Sequence, residues 1–205
     1  MPIPAKRRQV SLILFIIGAF CLGTAMFFAP GILPFHVSGA ILCYAFFLLC
    51  VVSNILIGLG KKVTPEVAVT SCNAGLFFAA ETLITGAMWA RQAWGAVWVW
   101  EPRLTGMLLM TLFFISWRLA CAIVGPSIVG KGRLTASLII LGLPSMAFTH
   151  LAVRLFGGIH PETVAQSGAL PSSPGLMTAV VIGHLSIGLA LWLFGYTSAA
   201  ASLPD

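Results

Sequence analysis

Charged residues are scarce in this sequence: Asp, Glu, Lys and Arg make up only 8% of the 205 residues, and five of them are acidic. A typical soluble domain has about a quarter of its residues charged, so a soluble globular fold is excluded. Hydrophobic residues reach 59% instead, and the mean hydropathy is +1.03. The composition therefore predicts a protein of the lipid bilayer.

Two sequence patterns that carry chemistry are also missing. None of the five cysteines belongs to a C-x-x-C pair, and all five lie in apolar stretches, which disfavours disulfide, zinc and thiol-redox sites. Without C-x-x-C-H, the chain is not itself a c-type cytochrome. No G-x-x-x-x-G-K-[ST] run is present, so we expect that the chain binds no nucleotide.

Six apolar stretches are long enough to cross a bilayer. A hydrocarbon core of roughly 30 Å requires about 20 apolar residues in a helix. Stretches of that length cover approximately residues 10–29, 36–59, 67–89, 104–124, 134–153 and 176–198. The first could instead be a secretory signal, but no small-x-small cleavage site follows it. We predict an all-α fold in which residues 1–205 form a single domain of six transmembrane helices.

The positive charges are distributed unevenly over the predicted connections. If the N-terminus is cytoplasmic, eight of the eleven Lys and Arg residues fall on the cytoplasmic side, and only Arg91, Arg103 and Arg154 lie outside. This arrangement follows the positive-inside rule and predicts that both termini are cytoplasmic. The net charge of +6 is then a topology signal, and we expect no nucleic-acid partner.

The two longest connections both lie on the predicted outer side, at about residues 90–103 and 154–175. Loops held by a rigid scaffold often carry function. Four of the six tryptophans lie in the first connection or directly before it: Trp89, Trp94, Trp98 and Trp100. An interfacial aromatic belt would explain tryptophans at this depth, but a belt does not require them to be concentrated in one connection.

A large, flat aromatic ligand would explain this concentration better. Indole faces offer a broad, rigid apolar surface at little entropic cost, and a porphyrin has the matching shape. Arg91, Arg103 and Arg154 lie on the same side, where a guanidinium could pair with each propionate through two parallel hydrogen bonds. The outer connections therefore suggest a haem-sized site.

The sequence around these tryptophans resembles a known signature. Thr85-Gly86-Ala87-Met88-Trp89 is followed by Trp94-Gly95-Ala96-Val97-Trp98-Val99-Trp100-Glu101-Pro102-Arg103-Leu104-Thr105. This run resembles the WWD signature of haem-handling membrane proteins, and it is most similar to the cytochrome c maturation protein C family, whose members deliver haem. The acid that usually follows the last tryptophan is Asp in that family, whereas this chain has Glu101.

Two histidines occupy positions that the family uses for axial iron ligands. His36 lies at the outer start of the second span, and His160 lies in the second outer connection; haem iron accepts imidazole nitrogens on either face. An isolated histidine at such a position would ordinarily be a solvated side chain. His150 is the alternative ligand to His160. The resemblance implies that His36 and His160 bind the iron. The concentration of tryptophans, the signature and the outer arginines together predict that eight residues surround the ring: Trp89, Trp94, Trp98, Trp100, Glu101, Arg103, Arg91 and Arg154.

The resemblance also implies a function. We expect a non-enzymatic protein of the bacterial inner membrane that holds haem b transiently as cargo on the periplasmic side and delivers it to a periplasmic haem chaperone. The implied partners are ABC-type ATPase and permease subunits and a small single-span membrane subunit. Two alternatives remain open: a cytochrome c synthetase subunit, since such proteins carry a related tryptophan loop, and a permease with an aromatic belt.

Two ionisable residues, Glu81 and His184, lie at similar depth inside the third and sixth spans. An unpaired charge at that depth is costly, so we predict that the two contact each other or that each is neutral. Separate hydrogen bonds to neighbouring helices are the alternative.

Helix-breaking and small residues also occur inside the spans. Pro144 predicts a kink in the fifth span, because its nitrogen donates no hydrogen bond. Gly183, Gly188 and Gly195 predict close approach of the sixth span to its neighbours.

Overall fold

The computed structural model describes residues 5–28, 31–159 and 173–201, and within them all regular structure is helical. The helices are α1 (Ala5–Phe28), α2 (Leu33–Gly58), α3 (Pro65–Trp94), α4 (Pro102–Val124), α5 (Gly132–Ser137), α6 (Leu143–Phe156) and α7 (Pro174–Ala201). A π-helical segment joins α5 to α6, so that these elements form one span. Among the described residues, six helical stretches are long and apolar enough to cross a membrane, which confirms the predicted all-α fold.

Three pairs of neighbouring helices run antiparallel. α1 packs on α7, α2 on α3, and α4 on α6, and α7 also contacts α2 and α3. Gly39 of α2 faces Glu81 of α3, while Phe47 faces Gly75, so helices α2 and α3 run in opposite directions. We call the end of the bundle that carries residues 95–101 the tryptophan end. The opposite end, which carries Lys6, Lys61 and Lys131, is the lysine end.

An aromatic core fixes α2, α3 and α4 to one another. The rings of Phe47 and Phe114 stack with their centroids 3.7 Å apart, and those of Phe46 and Phe78 stack at 5.9 Å. All five cysteines are unpaired, and four of them are buried: Cys43, Cys50, Cys72 and Cys121. They fill space as small apolar side chains. This core holds the three helices whose ends meet at the tryptophan end.

Helix α3 is longer than the sequence indicated. The first outer connection was expected to begin near residue 90, but α3 continues to Trp94 and ends at Gly95. Gly95 adopts a left-handed conformation with φ of 76°, and its N–H donates to the Arg91 carbonyl; glycine takes this conformation without strain. No earlier residue stops the helix, so Trp89 and Trp94 belong to α3 and the connection is residues 95–101.

The fifth span is irregular where the sequence predicted a kink. Residues Leu138–Gly142 form a π-helical segment directly before α6, whose second residue is Pro144. A proline nitrogen cannot donate to the carbonyl four residues earlier, and a wider turn accommodates that lost bond. Proline therefore alters the span without ending it.

Glycines bring α7 close to three other helices, as predicted. A Cβ at each glycine would lie 3.0 Å or closer to a neighbouring side chain: Gly183 to Leu22, Gly188 to Phe46, and Gly195 to Thr70. Their small size thus positions α7 against α1, α2 and α3.

Candidate functional site

His36 lies near the start of α2 and packs directly on α3. Its Nδ1 is 2.9 Å from the Thr82 carbonyl oxygen and 3.4 Å from the Thr85 hydroxyl. A carbonyl oxygen can only accept, so the hydrogen bond places the proton on Nδ1. The Nε2 atom therefore carries the lone pair, and this is the nitrogen that can bind a metal.

The floor under the His36 ring is Gly86. A Cβ at Gly86 would lie 2.8 Å from His36 Cε1 and 3.1 Å from Nδ1, closer than carbon atoms normally approach. The absence of a side chain here lets the imidazole lie against the backbone of α3. The sequence offers one signal for this residue, a glycine inside a helical stretch, but that signal does not indicate which side chain packs on it.

Trp89 lies on the same face of α3 as the atoms that hold His36. Thr82, Thr85, Gly86 and Trp89 are spaced at i, i+3, i+4 and i+7, which is one stripe of a helix. Trp89 is thus about one turn nearer the tryptophan end than Gly86. Its ring packs edge to face with that of Trp94, with centroids 5.0 Å apart, so the first tryptophan pair stands above His36.

The second tryptophan pair lies in the connection between α3 and α4. Trp98 and Trp100 pack edge to face with centroids 5.5 Å apart, and Trp100 is 74% exposed. The Trp98 Nε1 atom is buried and has no hydrogen-bond partner among the described residues. Buried indole N–H groups usually find an acceptor. This pair therefore offers an exposed ring face and an unused donor.

Glu101 ends the connection and caps helix α4. Its Oε1 accepts a hydrogen bond of 2.7 Å from the Leu104 N–H, the position that an N-cap side chain satisfies. Burial raises the pKa of Glu101, whereas the Leu104 N–H and the nearby Arg103 guanidinium act in the opposite direction. The second oxygen, Oε2, is buried without a partner among the described residues. Aspartate also caps helices, so the departure from the family pattern preserves this function.

The capping role of Glu101 predicts a loss of stability on truncation. Glu101→Ala should destabilise the protein by about 1 kcal/mol, because the Leu104 N–H loses its acceptor, whereas Glu101→Asp should stay close to the wild type. Thermal unfolding in detergent, followed by circular dichroism, measures both variants. Equal melting temperatures for the alanine variant and the wild type would show that this cap contributes nothing.

The three arginines at the tryptophan end differ in exposure. Arg91 on α3 and Arg154 on α6 are exposed, whereas Arg103 in the first turn of α4 is half-buried. Arg103 lies close enough to Glu101 to act on its carboxylate. Arg91 and Arg154 are therefore the two guanidiniums most accessible to an incoming anionic group.

The end of α6 lies at the depth of His36. The Tyr44 hydroxyl donates to the Met146 carbonyl at 3.3 Å and fixes α2 against α6. His36 is eight residues from Tyr44, and Arg154 is eight residues from Met146, which is about 12 Å along each helix. The two therefore lie at similar depth near the tryptophan end.

The two other candidate iron ligands, His150 and His160, belong to later parts of the sequence than α2. His150 is exposed on α6, about one turn deeper than Arg154. His160 follows the end of α6 and lies outside the described residues, so its predicted pairing with His36 stays a prediction.

Glu81 and His184 form the contact that the sequence predicted, with His184 buried and Glu81 half-buried. His184 Nε2 is 2.7 Å from Glu81 Oε1, and His184 is only 1% exposed. Because His184 Nδ1 lies 2.9 Å from the Val180 carbonyl oxygen, that nitrogen carries a proton. One further proton then lies between Nε2 and the carboxylate, so the pair as a whole is neutral and is tolerated at this depth.

The pair joins three helices directly beneath His36. The Ser38 hydroxyl of α2 lies 3.2 Å from His184 Nδ1 on α7, and a Cβ at Gly39 would lie 3.1 Å from Glu81 Oε2. The Thr85 hydroxyl, which faces His36, donates to the Glu81 carbonyl at 2.7 Å. The contacts of Glu81 and His184 thus support the part of α3 on which His36 rests.

Comparison with known proteins identifies the family of this chain. Residues 10–202 match the family model described as Heme exporter protein C. The Heme exporter protein C of Paracoccus denitrificans is 28% identical over 71% of this chain and 59% of its own length. A putative cytochrome c biosynthesis ccmC-like mitochondrial protein of Marchantia polymorpha is 35% identical over 39% of this chain and 35% of its own length.

Another match is to a protein with a different name. The cytochrome c biogenesis protein CcsA of Gloeobacter violaceus is 34% identical over 38% of this chain and 22% of its own length. The chain thus spans less than two thirds of the length of each of these three relatives. Because the family model covers nearly the whole chain, the protein belongs to the heme exporter protein C family.

Proposed function

We propose that this protein binds haem at its tryptophan end and delivers it to a periplasmic haem chaperone during cytochrome c maturation. The observation that carries the proposal is the orientation of His36. Its Nδ1–H donates to the Thr82 carbonyl, which fixes the ring and leaves Nε2 to bind iron. Histidine ligands in metal sites commonly donate their second N–H in this way, and the bond also raises the basicity of the ligating nitrogen.

The tryptophan end offers partners for the rest of the haem. Exposed Trp100 and the neighbouring Trp89–Trp94 pair provide apolar faces for the porphyrin ring. Arg91 and Arg154 are exposed and suit the two propionates. The unpaired Trp98 N–H and Glu101 Oε2 are further polar atoms that a ligand with carboxyl groups or its bound water can satisfy. This set fits haem b carried as cargo.

The second iron ligand in this proposal is His160. It belongs to the connection that follows α6, and α6 ends at the depth of His36. His150 is the alternative ligand, although it lies on the helix itself and about one turn deeper. A site with one ligand fixed on a helix and one contributed by a connection suits cargo that must be released, because only one imidazole has to leave for transfer to begin.

The proposal includes an orientation and a set of partners. The lysine end lies in the cytoplasm and the tryptophan end faces the periplasm, because positive charges concentrate on the cytoplasmic side of bacterial inner-membrane proteins. The protein works as a non-enzymatic member of a complex with ABC-type ATPase and permease subunits and a small single-span subunit. The charge distribution and the family membership support these points.

A cytochrome c synthetase subunit is the second candidate function. The similarity to the Gloeobacter violaceus cytochrome c biogenesis protein is the observation that favours it. A synthetase would catalyse thioether formation between haem vinyl groups and cysteines, whereas a delivery protein would hand haem over unchanged.

One reconstitution separates the two functions. Purified protein loaded with haem is mixed with an apo haem chaperone or with an apocytochrome peptide that contains C-x-x-C-H. We expect transfer of the Soret absorption to the chaperone and no covalent haem on the peptide in denaturing gels. Covalent haem on the peptide without a chaperone would overturn the delivery function in favour of the synthetase.

A further inference from the structure

Two grooves flank the contact between α1 and α7 at the lysine end, opposite the tryptophan end. The larger has a volume of about 420 Å³ and is lined by Lys6, Arg7, Val10, Trp192, Leu193 and Tyr196. The smaller, of about 320 Å³, has Arg8 at its mouth and continues past Leu12 to Phe15. Each groove therefore combines a cation with an apolar wall. The Ser11 hydroxyl donates to the Ala190 carbonyl at 2.7 Å and fastens the two helices at this depth.

The three cations at these grooves do not stabilise the helix that carries them. Lys6, Arg7 and Arg8 lie in the first turns of α1, and the first turn contains no acidic residue. The N-terminal end of a helix already carries partial positive charge, so cations there are unfavourable. None of the three forms an ion pair in the part of the chain that the structure describes. An anion at the groove would relieve this repulsion.

The wall of the larger groove is rigid and aromatic. The rings of Trp192 and Tyr196 are parallel within 4°, with centroids 5.4 Å apart. Trp192 Nε1 donates to the Ser71 hydroxyl of α3 at 3.0 Å, which fixes the indole that lines the groove. The Tyr196 hydroxyl makes no hydrogen bond with any described residue. The lining of the groove thus combines two cations, a hydroxyl that makes no hydrogen bond with the described residues, and apolar side chains.

We infer that the larger groove binds an anionic phospholipid of the leaflet that surrounds the lysine end. The Lys6 and Arg7 side chains and the Tyr196 hydroxyl bind the phosphate, and an acyl chain packs along Val10 and the Trp192 ring. Basic pockets between transmembrane helices bind anionic headgroups in this way. A free phosphate would use the cations but not the apolar wall. In a zwitterionic lipid, Lys6 and Arg7 would repel the headgroup cation, which offsets their attraction to the phosphate.

The lipid proposal is tested on the full-length protein by lipid retention. The protein is reconstituted with phosphatidylcholine and phosphatidylglycerol, extracted in mild detergent, and examined by native mass spectrometry. We expect retained phosphatidylglycerol, and about 30-fold weaker binding in the double variant Lys6→Gln and Arg7→Gln, from roughly 1 kcal/mol for each cation near the membrane surface. The matched control, Lys61→Gln and Lys62→Gln, removes the same charge at the same end and should retain the lipid.

A second pair of variants tests the groove without changing any charge. Val10→Phe fills the groove, and Val52→Phe enlarges a similarly exposed valine elsewhere, since the two side chains are 42% and 40% exposed. Only Val10→Phe should lose the lipid. Equal losses in both charge variants, or full retention in Val10→Phe, would overturn the site in favour of general surface attraction. Competition by millimolar glycerol phosphate would overturn it in favour of a simple phosphate site.

Discussion

Replacing His36 by alanine is expected to lower haem affinity by about 100-fold, so that the purified variant is nearly colourless. Loss of a residue that merely orients a metal ligand commonly costs 10–100-fold in affinity, and loss of the ligand itself should lie at or above that range. The fold should survive, because His36 is only half-buried and its side chain makes hydrogen bonds to two residues of α3 alone. Haem content after loading, measured as the pyridine haemochrome per mole of protein, is the readout.

A matched replacement shows whether the His36 effect is specific. His150 lies near the same end of the bundle and is exposed, so His150→Ala should keep its haem if His160 is the second ligand. Full haem content in His36→Ala would show that His36 is not an iron ligand. Loss of haem in His150→Ala as well would instead make His150 the second ligand.

Gly86→Ala should reduce haem affinity by about 30-fold without lowering the stability of the fold. The added Cβ would lie 2.8 Å from His36 Cε1, so the imidazole must move off α3 and lose its bond to the Thr82 carbonyl. Alanine is favoured over glycine by roughly 1 kcal/mol inside a helix, which offsets the cost of the displaced ring. The ligand is thereby misplaced while the helix remains intact. Haem titration and thermal unfolding of the same sample separate the two effects.

The control for Gly86→Ala is Gly23→Ala in α1. Gly23 is also within a helix, but a Cβ there meets no atom within 4 Å, so it should leave haem binding unchanged. Wild-type haem affinity in Gly86→Ala would mean that the contact with α3 does not position the imidazole. A parallel fall in stability and affinity would mean that the glycine serves only helix packing.

The six spans could be predicted from the sequence because hydropathy and span length depend on composition alone. The contact between Glu81 and His184 could be predicted for a related reason: two ionisable groups at equal depth in lipid have few ways to avoid an energetic cost. His36 could be proposed only through its place in the topology and the family resemblance. None of these inferences needed the relative rotation of two helices.

The remaining features depend on that rotation or on local backbone geometry. His36 rests on Gly86 and is oriented by the Thr82 carbonyl. Both contacts depend on the rotation of α2 relative to α3, which cannot be predicted from the sequence of either helix alone. Helix α3 extends to Trp94 because no residue before Gly95 stops it, whereas the apolar stretch that predicts the third span ends at residue 89. Glu101 was assigned to ligand binding, and its capping of α4 becomes visible only once the start of that helix is known.

The Soret spectrum of the haem-loaded protein, recorded for the wild type, His36→Ala and His160→Ala at saturating haem, tests the central claim most directly. If both imidazoles bind one iron, the Soret maximum shifts in each variant, and added imidazole restores the wild-type position. A spectrum that is the same in all three proteins would contradict the account, because the iron would then be held by neither histidine.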